Sequence, residues 1–106
     1  MSTSARIGIL LPGGTVRCIT VQQDGYPGYA GKILTRHYTS EERILELLSR
    51  GDLRSLTADP RDCEVALNAK PAQDVSLSRF INPPFSIDYL YIFIPSDGWQ
   101  YLLCHE

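Results

Sequence analysis

The chain has no paired cysteines, no long apolar run and no excess of basic charge, and each absence removes a class of function. Its three cysteines, Cys18, Cys63 and Cys104, lie far apart with no Cys-x-x-Cys spacing. Neither a disulfide framework nor a zinc cluster is expected, and the thiols are read as reduced. The N-terminal stretch MSTSARIGILLPGG carries one short apolar run before a turn. That run is too small for a signal peptide and well below the roughly 20 apolar residues of a membrane span. The expectation is therefore a cytoplasmic chain without membrane contact. Lys and Arg number 10 against 12 Asp and Glu, a formal net charge of −2. The broad attraction to phosphate backbones that a DNA or RNA binder uses is missing.

Groups for acid–base chemistry are equally scarce. The only imidazoles are His37 and His105, and His105 is the penultimate residue. A nucleophilic set of Cys18, His37 and Asp24 is conceivable if strand and helix lie side by side, yet nothing in the local sequence marks Cys18 as activated. His37 falls near the core-facing stripe of a helix. Glu41 with Glu42 reads as a helix start, and Asp59 with Asp62 as a solvated loop, so no metal site is expected. The sequence predicts a protein that is not an enzyme and carries no cofactor.

The residues that are present point to one domain spanning 1–106. Apolar, β-branched runs at 7–11 and 16–21 flank Pro12-Gly13-Gly14, which is hairpin punctuation. In the second run Val16, Cys18 and Thr20 share one face while Arg17, Ile19 and Val21 take the other, so both faces are mostly apolar and the strand reads as central. Ala30, Ile33 and Leu34 recur at helical spacing and predict a helix over 28–38. Thr39-Ser40-Glu41-Glu42 matches a capping box, with Thr39 accepting from a second helix over 40–50 that ends at Gly51. From 57 to 82 the pattern is weak, apart from a turn of helix at 76–81 before Asn82-Pro83-Pro84. Residues 89–94 and 99–104 then flank an Asp-Gly turn, a second hairpin. Its first strand places Leu90, Ile92 and Ile94 on one side and Tyr89, Tyr91 and Phe93 on the other. The predicted fold is α+β: an antiparallel sheet of about four strands in ββααββ order, with two short helices packed on one face.

The densest turn chemistry lies at residues 24–34, DGYPGYAGKIL. With Pro27 at the first helical position, the N–H groups of Gly28, Tyr29 and Ala30 would point out of the helix start, where negative charge is favoured, and Lys32 adds a cation. That makes a candidate phosphate seat formed by Gly28, Tyr29 and Lys32, with Asp24 orienting the turn or accepting from a ribose hydroxyl. Tyr26 or Tyr29 would stack on a base, and Gln22 or Gln23 would read a polar edge. Tyr89, Tyr91, Trp99 and Tyr101 could extend the aromatic wall. The alternative is plain structure: Gly and Pro as ordinary turn residues, Asp24 as a cap, and the rings closing a small core. The nucleotide P-loop pattern is absent.

Taken together, Arg6-Ile7-Gly8-Ile9, Gly14-Thr15-Val16-Arg17-Cys18-Ile19, Asp24-Gly25-Tyr26-Pro27, Gly31-Lys32-Ile33-Leu34, His37-Tyr38, Gly51-Asp52-Leu53 and Ser55-Leu56 resemble a family of small phage and prophage proteins. That family's C-terminal hairpin is matched by Tyr89-Leu90-Tyr91-Ile92-Phe93 and Trp99-Gln100-Tyr101. The resemblance covers roughly the first 56 residues and the last 18, and the stretch from 57 to 87 is unlike it. Gln22-Gln23 stand where relatives place a His-Trp or similar pair.

The resemblance implies an accessory protein acting against host defence from the host cytoplasm. One route is a non-enzymatic sponge that sequesters a cyclic nucleotide or related phosphorylated signal; burying such a ligand against so small a domain calls for further walls, so a homo-oligomer is expected. The alternative is an inhibitor that covers a host protein surface, in the manner of anti-CRISPR proteins.

Overall fold

The computed structural model describes residues 3–104, so His105 lies outside the described residues. Ala5–Leu10 (β1) and Thr15–Val21 (β2) form the expected first hairpin, in register from Ala5 opposite Val21 to Leu10 opposite Val16. A π-helical turn, Pro27–Gly31, leads into Lys32–His37 (α1), and Glu41–Leu48 (α2) follows. Three short strands, Leu53–Ser55 (β3), Glu64–Val65 (β4) and Gln73–Ser76 (β5), then precede Leu77–Ile81 (α3). Tyr89–Ile94 (β6) and Gly98–Leu103 (β7) close the chain as the second hairpin.

The expected four-stranded antiparallel sheet in ββααββ order is corrected. The strands form one seven-stranded mixed sheet in the order β4-β3-β2-β1-β6-β7, with β5 pairing β2 beside β3. β6 lies parallel to β1, and β3 lies parallel to β2. The parallel pairs arise because the helices carry the chain back across the sheet before it re-enters, a crossover that a hairpin cannot make. β3, β4 and β5 are 3, 2 and 4 residues long. Segments that short cannot display an alternating pattern, so they read as loop.

Helices cover both faces instead of one. On the first face Ile7, Ile9, Ile19 and Val21 bury against Leu34, Tyr38, Ile44, Leu47 and Leu48 of the α1–α2 segment. On the second, Val16, Cys18 and Leu90 bury against Phe80 of α3 and against Ile87. Gly8 permits this second layer: a Cβ there would lie 2.6 Å from Val16 Cγ1 and 2.9 Å from Phe80 Cε1.

Local details depart from expectation for identifiable reasons. Ser40, not Thr39, caps α2, its Oγ accepting from the Arg43 N–H at 3.2 Å, because the helix begins one residue later than a Thr39 cap requires. His37 is exposed, and the next residue, Tyr38, takes the core position. Its hydroxyl donates to the Thr57 carbonyl at 2.8 Å, and burial pushes its pKa far up. Gly51 has φ +79, the left-handed stop expected after α2. Among the described residues no helix is long and apolar enough to cross a membrane.

Candidate functional site

The turn at Asp24–Lys32 is built by close approaches. Gly25 sits where a Cβ would lie 2.7 Å from the Ala5 Cβ, and its carbonyl accepts from the buried Tyr91 hydroxyl at 2.7 Å. Asp24 adopts φ +57, a conformation its short polar side chain tolerates, and this reverses the chain at the end of β2. It makes no cap: the π turn begins after Tyr26 with no side-chain hydrogen bond. The N–H groups of Tyr29 and Ala30 both bond the Tyr26 carbonyl, at 3.0 and 2.9 Å. Two of the donors proposed for a phosphate are therefore engaged inside the turn.

The proposed site residues divide between hollows. Gln22 and Gln23 continue the β2–β3 pairing through backbone bonds to Leu53 and Arg54, and their side chains border a depression with Arg54, Glu64 and Asn68. Lys32 lines a different groove, of about 240 Å³, together with Tyr91, Trp99 and Tyr101. Tyr29 is half-buried, and its hydroxyl donates to the Leu56 carbonyl at 2.9 Å. Tyr26 lies exposed with its ring 6.4 Å from that of Tyr29, and Gly28 is exposed beside it. The C-terminal rings pack chiefly on one another: Tyr91 against Tyr101 at 6.0 Å and Phe93 edge-on to Trp99 at 5.4 Å. The Trp99 Nε1–H donates to the Tyr38 carbonyl at 2.8 Å. These rings serve the core and, at its rim, the Lys32 groove.

A separate cavity of about 550 Å³ opens on the second face of the sheet. β5 pairs β2 only as far as Cys18, and β3 joins β2 only at Val21, so among the described residues Ile19 and Thr20 have no strand beside them on that edge. This notch forms the cavity floor. The orphaned Thr20 N–H donates to Asp52 Oδ1 at 3.0 Å, which satisfies a backbone group that pairing has left free. Around the notch stand Arg6 from β1, Lys70 from the loop before β5, and Arg79 from α3, with the side-chain amides of Gln73 and Asn82. An Arg6 guanidinium N–H donates to the Arg79 carbonyl at 3.3 Å, which holds the half-buried arginine against α3.

Elsewhere the ion-paired arginines are Arg17, Arg43, Arg54 and Arg61. None of the three cavity cations is in an ion pair among the described residues, and they face the single carboxylate of Asp52. In a chain of net charge −2 this is a local excess of positive charge. Sequence reasoning missed all three. Arg6 left one trace, a charge alternating with Ala5 and Ile7 inside an apolar strand; Lys70 falls in the stretch of weak pattern, and Arg79 in the turn of helix at 76–81, where nothing set it apart.

Cys18 forms part of the cavity wall, and burial pushes its thiol pKa up, with Arg6 opposing. It faces the α3 side of the sheet while α1, which carries His37, covers the other. The sheet separates the thiol from the imidazole, so the conceivable Cys18–His37–Asp24 set is not assembled. Among the described residues no group of three or more His, Cys, Asp and Glu side chains is placed to hold a metal ion. No family model, no curated protein and no solved structure matches this chain.

Proposed function

We propose that the chain is a non-enzymatic binding module that captures a phosphorylated, nucleotide-derived signal, with the phosphates seated in the Arg6–Lys70–Arg79 cavity. The observation that carries this reading is the convergence on one hollow of three cations that have no ion-pair partner among the described residues, with side-chain amides in the same walls. Guanidinium groups match phosphate oxygens bidentately, and the partly desolvated position of Arg6 strengthens the attraction. Gln73 and Asn82 supply donors and acceptors for a sugar or base edge. The raised thiol pKa of Cys18 speaks for a wall and against a nucleophile. In the setting that the resemblance to small phage proteins suggests, capture withdraws the signal from a host defence pathway in the cytoplasm.

A second reading, inhibition of a host protein by surface contact, is favoured by the exposed apolar residues Phe85, Leu102 and Leu103 at one end of the sheet. Thermal-shift measurements against cyclic di- and trinucleotides and ADP-ribose derivatives separate the two. A ligand present at a hundredfold its dissociation constant stabilises the fold by about 2.7 kcal/mol. The expected hit disappears in Arg79→Gln and Lys70→Gln and persists in Lys32→Gln. A hit lost only in Lys32→Gln would move the site to the aromatic groove, and a flat response from folded protein would favour surface inhibition.

A further inference from the structure

We infer that β7 is a two-fold interface at which a second copy of this chain extends the sheet. Among the described residues β7 ends the strand order and pairs only with β6, over the whole of Gly98–Leu103. The direction of its backbone groups follows from one bond, the Cys104 N–H donating to the Asp88 carbonyl at 2.9 Å. In an antiparallel ladder the bonding groups alternate, so Leu102 and Gln100 also face β6. The N–H and C=O groups of Trp99, Tyr101 and Leu103 therefore face outward along the open edge.

Natural edge strands are blunted by shortness, charge or proline. The strands at the other side of the sheet follow that rule: β4 has 2 residues and carries Glu64, ion-paired to Arg54, while β5 has 4 and carries Asp74, ion-paired to Arg17. β7 does not: Gly98–Leu103 reads GWQYLL, with no charge and no proline. Apart from the neutral amide of Gln100, its exposed side chains are apolar or aromatic, with Tyr101 59%, Leu102 55% and Leu103 51% exposed, and Phe85 nearby is 85% exposed.

Two features select a copy of the same chain as the occupant. β7 offers no charge for a charged partner strand to complement, whereas a copy presents the same neutral, apolar row and no like charges meet. Because the other strands lack a matching long edge, copies must join β7 to β7, and an isologous contact of that kind closes as a dimer. The outward-facing triplet also sets the register. Tyr101 sits opposite Tyr101 of the second copy, and Trp99 opposite its Leu103, so each outward residue exchanges both of its N–H···O bonds. This interface lies apart from the cavity on the α3 side and stands whether or not that cavity binds phosphate.

The decisive measurement is solution mass by light scattering combined with exchange of individual amides. The wild-type chain is expected at twice its 11.9 kDa mass. The Trp99, Tyr101 and Leu103 amides should exchange more slowly as protein concentration rises. Tyr101→Lys places like charges opposite each other at the two-fold and is expected to halve the mass; Tyr101→Glu does the same, and mixing the two variants restores a dimer. A wild-type chain that stays monomeric at high micromolar concentration overturns the proposal, as does a Tyr101→Lys variant that dimerises like wild type. A wild-type chain whose outward amides exchange at a concentration-independent rate overturns it too, whatever becomes of the variants. A β7 edge that pairs only with a different protein overturns it equally.

Discussion

The Tyr91 hydroxyl donates to the Gly25 carbonyl at 2.7 Å across a separation of 66 residues, fastening the C-terminal hairpin to the turn that follows the N-terminal one. Burial pushes the phenol pKa well up, so the group stays a neutral donor at all ordinary pH. Tyr91→Phe keeps the ring packing against Tyr101 and leaves a buried carbonyl without its donor. The expected cost is about 1–3 kcal/mol, read as a lower urea midpoint with an unchanged slope.

Gly51 holds the exit from α2 under two constraints at once. Its φ is +79, and a Cβ there would lie 2.7 Å from the Lys70 carbonyl oxygen. Gly51→Ala should therefore destabilise by about 1–3 kcal/mol, from backbone strain plus displacement of the loop that carries Lys70. In thermal denaturation this substitution should cost clearly more than Gly14→Ala, because a Cβ at Gly14 meets nothing within 4 Å and only its positive φ opposes the change.

Asp59 gives the chain a small acid dependence, because its ion pair with Arg61 is exposed and screened by solvent. The Arg61 side chain and backbone N–H both hydrogen-bond its carboxylate, lowering its pKa from 3.8 to about 2. Because the folded value is the lower one, this contribution to stability is present above about 3.8 and is lost as pH falls toward about 2. NMR titration of the Asp59 side-chain carboxyl should show the depressed midpoint, and Arg61→Ala should raise it.

Thiol chemistry should sort the cysteines by environment. Cys18 is 6% exposed and Cys63 5%, while Cys104 is only partly covered. Thiol-specific alkylation of the folded chain should modify Cys104 first, with Cys18 reacting only as fast as the structure opens. A ligand seated in the α3-side cavity should slow Cys18 further. Rapid alkylation of Cys18 in the native state would contradict its place in the wall.

Both terminal hairpins, the helix start at Ser76, the left-handed stop at Gly51 and the aromatic and aliphatic faces of β6 were legible in the sequence. Each is a local signal carried by turn residues, capping residues or period-2 alternation, and needs no knowledge of distant partners. The strand count was not legible. β3, β4 and β5 become strands only because β2 and one another offer them hydrogen-bond partners, and no two- to four-residue segment announces that. The parallel pairing of β1 with β6 was invisible for the same reason, since it joins residues more than eighty positions apart. At the sites, the sequence displayed the turn chemistry of 24–34, while only the tertiary structure showed that Tyr29 and Ala30 bond within that turn and that Gln22 and Lys32 border different hollows. The meeting of Arg6, Lys70 and Arg79 was likewise decided by topology. A strand, a loop and a helix far apart in the chain converge where the pairing of β2 lapses at Ile19 and Thr20, and no local pattern encodes where a sheet leaves such a gap.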